Sequence, residues 1–335
     1  MKALVYTAPE TLAWRDEPEP PARDGEALIR IDAVGICGSD MHGYLGHDPR
    51  RAPPLILGHE ACGTVLQGAA PGSRVVLNPL VTCGHCTSCL QGRSNLCPKR
   101  VLIGMARPGA FAERIRLPER NLIPVPAGLD AAHAALTEPC ATSVHALGLA
   151  ARSLHRPVHE GRALVIGAGS VGLLAALLLR AQGCRDVTVA ETHAGRRASA
   201  GAQPGLQTLD PAVAAAASNH YDLVVDAVGG TMTRAAASAA VRAGGTIAHI
   251  GLMHDTGGLD VRRLTLAEIT FVGCYTYTPL DLRAAVQALA SGDLGALDWV
   301  EERRLADGPT AFADLHAGRV AAAKVVLTPR LPEPP

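Results

Sequence analysis

The sequence has no surplus of charge of either sign: 31 Lys and Arg face 31 Asp and Glu among 335 residues. That balance excludes the basic face of a nucleic-acid binder and gives an anionic membrane nothing to attract. A run long enough to cross a bilayer is also missing. The longest uncharged stretch, residues 163–179, is interrupted by Gly167, Gly169 and Gly172 and falls short of the roughly 20 residues a span requires. It reads as a buried strand followed by a buried helix. The opening, Met1-Lys2-Ala3-Leu4-Val5-Tyr6, meets Pro9 and Glu10 before an apolar run of signal-peptide length develops, so the expected compartment is the cytoplasm. No internal repeat is visible. Nine cysteines, an odd number with four bunched within fifteen positions, argue against a disulfide framework and for metal.

What is present fits two domains, and a hydrophobic fraction of 48% supplies ample core. The first part reads as short strands broken by Gly and Pro, among them 27–34 and 73–77, which predicts a barrel-like β domain. Near Ala131 the texture turns Ala- and Leu-rich and helical. From Arg162 strands and helices alternate: a strand at 163–166, a helix to about Gln182, then strands at 186–190, 221–226 and 245–250. Alternation of this kind predicts a parallel sheet with helices on both faces, an α/β architecture. The alanine run 212–217 reads as helix, 324–327 as a strand returning to the first domain, and the Pro-rich tail 331–335 as frayed.

Cys83, Cys86, Cys89 and Cys97 are spaced C-x2-C-x2-C-x7-C with Gly84 and Gly92 between them. Four thiolates on one glycine-bearing loop close a tetrahedron around zinc with no open position, which is a structural site. Four free thiols on an exposed loop would instead be a chemical liability. A second set is scattered: Cys37 in Gly35-Ile36-Cys37-Gly38-Ser39-Asp40-Met41-His42, then Gly58-His59-Glu60, and Glu138 before Pro139. Thiolate, imidazole and carboxylate together leave a zinc position open for water or substrate, but spacing alone does not bring these residues together. Gly167-Ala168-Gly169-Ser170-Val171-Gly172 is G-x-G-x-x-G between a strand and a helix. The first glycine makes the turn and the second admits a pyrophosphate. The third allows close packing, and the helix N-terminus at Ser170 and Val171 offers free N–H groups to phosphate. Glu191, nineteen positions after Gly172, is placed to accept ribose hydroxyls and to repel a 2′-phosphate, which favours NAD over NADP. Arg196 and Arg197 form the competing, NADP-friendly pair.

These segments, with Gly109-Ala110-Phe111-Ala112-Glu113, span nearly the whole chain. In that order they resemble the medium-chain zinc-dependent alcohol dehydrogenases, and within them the sorbitol (polyol) and threonine dehydrogenase branch. The resemblance implies a GroES-like β-barrel catalytic domain of residues 1–142, completed by 282–335. It also implies a Rossmann coenzyme domain, a doubly wound parallel sheet, of residues 143–281. It implies two zinc ions per chain: Cys37, His59 and Glu138 hold the catalytic one, with Glu60 in or beside its coordination sphere and Asp40 orienting His59, and the four cysteines hold the structural one. Ser39 is expected to take the substrate proton and His42 to pass it to solvent. Arg196 is expected near the adenosine ribose and Lys324 near the pyrophosphate.

The substrate expected is a small alcohol or its ketone. Glu138 in place of a cysteine ligand points to a polyol, cyclitol or vicinal diol, ahead of a simple secondary alcohol or a 3-hydroxy amino acid such as threonine. A non-catalytic, nucleotide-binding zinc scaffold predicts a degraded set of ligands and relay residues, whereas all are present here. An edge strand at 269–275, of the kind that relatives pair across a two-fold axis, implies a homodimer or homotetramer. The chain departs from the family's usual pattern at Gly38, at Arg114 and in two short segments, 65–72 and 201–222; none of these removes a ligand.

Overall fold

The strand Glu26–Gly35 organises the N-terminal half. Ala27, Ile29, Ile31 and Ala33 point into the core while Arg30 and Asp32 face outward, the period-two pattern of a half-buried strand. It pairs antiparallel with Glu60–Gln67, with Arg114–Pro118 and with the returning strand Lys324–Thr328. Val300–Arg304, Arg74–Leu77 and Leu122–Pro124 complete a seven-stranded sheet, and Thr11–Asp16, Lys2–Ala8 and Leu55–Ile56 form a separate small one. The computed structural model describes residues 1–329, so the expected frayed tail, 331–335, lies outside the described residues.

The second half is a six-stranded parallel sheet. Its spatial order is Leu206–Leu209, Asp186–Ala190, Arg162–Ile166, Tyr221–Asp226, Val241–His249, Thr270–Gly273. Every residue of Tyr221–Asp226 is buried, as in a parallel sheet covered on both faces. The order reverses beside Arg162–Ile166, and the glycine-rich turn leaves the carboxyl end of that strand, where open α/β sheets bind ligands. Thr270–Gly273 is an edge strand, as expected. The alanine run 212–217 is not a helix: Asp210 instead anchors a turn, its carbonyl accepting from the N–H of Val213 and Ala214 and its carboxylate from that of Ala212. A segment this short, with no face to bury and Val213 exposed, cannot offset helix nucleation.

Two helices join the halves. Thr137–Ala151 packs against Ser170–Ala181 and Pro279–Ala290 on the side of the parallel sheet and against Glu60–Gln67 on the other. His145 Nδ1 lies 2.8 Å from Asp281 Oδ2 and ties the first of these helices to the start of Pro279–Ala290. The boundaries expected at 142/143 and 281/282 therefore fall inside helices. One apolar core runs through the junction, uniting Cys62, Val76, Leu136 and Cys140 with Val165, Leu173 and Val225. Leu136 is completely buried there, and its truncation to Ala would cost about 2–5 kcal/mol. Among the described residues no helix is long and apolar enough to cross a membrane.

Candidate active site and metal centres

Cys37 caps the helix Gly38–Tyr44. Its sulfur accepts from the Ser39 N–H at 3.5 Å and its own N–H donates to Asp40 Oδ2 at 3.1 Å. This reciprocal cap holds the sulfur at the N-terminal end of the helix. Glu60 pairs across the sheet with Gly35, and a side chain at Gly35 would collide with the Glu60 carboxylate; the glycine two places before Cys37 makes room for it. One ligand atom each from Cys37, His59 and Glu60 lies within 4.8 Å of the others.

Asp40 is fully buried, with Oδ1 3.3 Å from His59 Nδ1, so Nε2 is the nitrogen left for a metal. Burial alone would raise the Asp40 carboxyl; the facing His59, the Arg51 charge and the Cys37 N–H overcome it and hold the group below its ordinary range.

Glu138, in the first turn of Thr137–Ala151, stands beside this trio but outside the 4.8 Å group. Its Oε1 accepts a 2.8 Å hydrogen bond from the Tyr277 hydroxyl. Burial pushes Glu138 up to about 7 against the opposing pull of His59, with Glu60 adding to the rise. A half-buried thiol, a buried imidazole and two buried carboxylates in one pocket suit zinc and leave room in its coordination sphere for a substrate oxygen. Lys324, expected near the pyrophosphate, is buried below this pocket, with Nζ 2.6 and 2.8 Å from the Glu60 oxygens and 2.9 Å from the Ile36 carbonyl. Burial would lower its pKa; Glu60 more than offsets that. An ammonium removed from water needs such a partner, and the strand register delivers it here.

Ser39 is half-buried, and its Oγ accepts from Arg51 Nη2 at 3.2 Å. Arg51, only 2% exposed, is fixed by Asp48 and by the Gly104 carbonyl. The missing side chain of Gly43 leaves the space that the Arg51 stem fills. His42 lies one turn after Ser39 on the same helix and is exposed. Arg51 and Tyr277 were not foreseen: Arg50-Arg51 reads as a surface pair, and Tyr277 sits in a loop with no motif.

In the four-cysteine loop all four sulfurs lie within 4.8 Å of one another. Cys83 is 3.5 Å from Cys97 and 4.0 Å from Cys89, and no disulfide forms. A tetrahedron with metal–sulfur bonds of about 2.3 Å has edges of about 3.8 Å, so the donors fit a closed zinc site. The lobe docks on the other half through Asn95 Nδ2, 2.9 Å from the Tyr275 carbonyl.

At the glycine-rich turn Gly167 has φ +98°, which favours glycine. A Cβ on Gly172 would strike the Gly167 carbonyl. No side chain caps the helix Ser170–Ala181 at Gly169, so its first N–H groups have no partner within the helix. Ser143 Oγ donates to the Val171 carbonyl at 2.8 Å and pins this end to the joining helix. Glu191 Oε2 accepts from the Ala168 N–H at 2.8 Å and Oε1 from the His193 N–H at 2.7 Å. Burial works against ionisation of this carboxylate, but those N–H groups and Arg196, 3.4 Å away, lower its pKa.

A doubly wound nucleotide sheet joined to a β domain with one open and one closed zinc-type donor set defines a zinc-dependent dehydrogenase. Residues 23–127 match the family described as "Alcohol dehydrogenase GroES-like domain" and residues 170–291 the one described as "Zinc-binding dehydrogenase". L-galactonate-5-dehydrogenase of Escherichia coli (strain K12) is 33% identical over 310 residues, covering 88% of this chain and 89% of its own. L-threonine 3-dehydrogenase of Streptomyces coelicolor is 32% identical over 350 residues, covering 98% and 99%. The structure of acetophenone reductase from Geotrichum candidum NBRC 4597 in complex with NAD aligns with a TM-score of 0.86 at 29% identity, over 98% of this chain and 96% of that one. The chain belongs to the zinc-dependent medium-chain alcohol dehydrogenase family, and it is an oxidoreductase of zinc and nicotinamide coenzyme.

Proposed function

We propose that the enzyme oxidises a secondary hydroxyl of a polyol, cyclitol or other vicinal diol with NAD, or reduces the matching ketone. The convergence of Cys37, His59 and Glu60 beside Glu138 and within one short helix of Ser39 carries this reading. When bound, zinc supplies Lewis-acid polarisation of the substrate hydroxyl and NAD accepts the hydride. Cys37, His59 and Glu138 hold the metal, with Glu60 beside it or in its sphere, and Asp40 fixes the His59 ring. Ser39 takes the substrate proton. One of its lone pairs is already occupied by Arg51, so the other faces substrate and its own O–H must donate onward. The Arg51 charge beside it favours departure of that proton. His42, exposed on the same helix, delivers it to water.

The N–H groups at Ser170, Val171 and Gly172 bind pyrophosphate. Glu191 receives the ribose hydroxyls, with Arg196 alongside, and disfavours a 2′-phosphate. A second reading, oxidation of a 3-hydroxy amino acid, rests on the similarity to L-threonine 3-dehydrogenase. NADH absorbance against polyols, cyclitols, threonine and simple secondary alcohols, each with NAD and NADP, separates the two. Zinc-dependent turnover of a polyol or cyclitol with NAD is the expected result. Turnover confined to threonine or simple alcohols overturns the diol reading, and preference for NADP overturns the role given to Glu191.

We also propose that two copies pair through the edge strand Thr270–Gly273, next to exposed Val261 and Leu266, giving a homodimer or homotetramer. A monomeric mass in light scattering would refute this. The cytoplasm is the proposed compartment, in keeping with nine unpaired cysteines.

A further inference from the structure

We infer that His193 is a positioning residue for the coenzyme, clasping the pocket of the adenosine ribose to the half of the molecule that carries the metal pocket. The inference rests on the coenzyme reading of Glu191 above and adds to it what holds that carboxylate in place.

Glu191 follows the strand Asp186–Ala190, and Thr192 and His193 lead from it into the helix Ala194–Gly201. The His193 N–H donates to Glu191 Oε1 at 2.7 Å. The His193 ring caps the helix, its Nδ1 accepting from the Arg196 N–H at 3.2 Å. In a neutral ring one nitrogen accepts and the other carries the proton. Nε2 therefore donates, and it lies 3.1 Å from the Gly318 carbonyl. Gly318 sits in the loop between the helix Gly308–His316 and the strand Lys324–Thr328, across the junction from the nucleotide sheet. The usual cap residues, Ser, Thr, Asp and Asn, would satisfy the Arg196 N–H and reach no further. Histidine has a second polar atom on the far edge of its ring, and here that atom bonds the other half.

Two more observations place the same seam. A Cβ on Gly195 would lie 2.7 Å from the Ala321 Cβ, so the missing side chain lets the loop before Lys324 lie directly against the start of Ala194–Gly201. Just past the other end of that helix, buried Gln203 donates through Nε2 to Asp298 Oδ1 at 3.2 Å, two positions before the strand Val300–Arg304. The helix that carries Arg196 is thus tied at both ends to segments that enter the first sheet. A pocket fixed before its ligand arrives loses less free energy to ordering when the ligand binds. The clasp acts on coenzyme affinity, not on the hydride step.

The test compares the zinc-loaded wild type with His193→Asn and Gly195→Ala, by fluorescence titration with NADH and with ADP-ribose. Asn is too short to reach Gly318 but is among the best helix caps. Ala favours the helix over Gly but strikes Ala321. Both variants keep the helix and open the seam, so a frayed helix does not account for a loss. Kd for both ligands should rise about three- to tenfold in each variant. With whichever alcohol of the panel above turns over, KM for NAD should rise alike, while kcat at saturating NAD holds or rises because NADH leaves sooner. Wild-type affinity in both variants, or a lower kcat with unchanged affinity, overturns the clasp. Glu191→Ala tests the underlying reading: unchanged NADH affinity there would place the ribose elsewhere. In that event amide hydrogen exchange of the coenzyme-free protein decides the clasp alone. Faster exchange in both 194–201 and 317–322 of His193→Asn supports it, and wild-type exchange in 317–322 refutes it.

Discussion

The four-cysteine loop takes every donor from Cys83 to Cys97, one stretch of fifteen positions. The catalytic pocket instead gathers Cys37 from a helix cap, His59 and Glu60 from the start of a strand and Glu138 from the joining helix, with Lys324 of the last described strand beneath. The loop offers four identical donors, three of them half-buried, that can only close on the metal. The pocket offers mixed donors, three of them buried and Cys37 half-buried, and leaves a position open. A local site stores its geometry in its own turns and works as a staple. A distributed site exists only when the whole fold is in place, which lets distant elements tune it.

Cys37→Ser should separate the two sites most sharply. Loss of Lewis-acid stabilisation worth several kcal/mol lowers turnover on the order of 10³-fold, zinc content falls to one per chain, and the melting temperature stays within a few degrees. Loss of both metals would break the comparison. Cys97→Ser should do the reverse: one zinc remains, the melting temperature falls by more than about 5 °C, and turnover measured in the cold keeps its order of magnitude. Tyr277→Phe removes the hydrogen bond to Glu138. It should lower kcat/KM about tenfold and weaken the catalytic zinc, read by competition with a chelator, without disturbing the other metal. Asn95→Ala, at the joint between the cysteine lobe and Tyr275, should have the smallest effect, about two- to threefold on KM. A larger loss would show that the staple and the open site are more strongly coupled than their separate construction implies.

The same contrast explains what could be read from the sequence. The cysteine loop was legible from spacing because its geometry is local, and the glycine-rich turn because it sits between a strand and a helix. The strands 186–190 and 221–226 appear where the pattern places them. The open site was legible only by resemblance, since nothing local announces that Cys37 will meet His59 and Glu60. The pairing of Lys324 with Glu60 left no signal, because strand register sets it and a motif does not encode register. Arg51 and Tyr277 left no signal: a buried arginine looks like an exposed one in sequence, and its pocket depends on the side chain Gly43 lacks. The run 212–217 carried helix-forming residues but no apolar face, so propensity had nothing to pack.

The core that unites Leu136 and Cys140 with Leu173 and Val225 has a calorimetric consequence. Two domains separated by a linker melt in two steps, but halves that share buried side chains lose them together. The protein should show a single endotherm rather than two. Coenzyme whose pyrophosphate is held at the glycine-rich turn would then raise the melting temperature of the metal-bearing half as much as that of the half that holds the pyrophosphate.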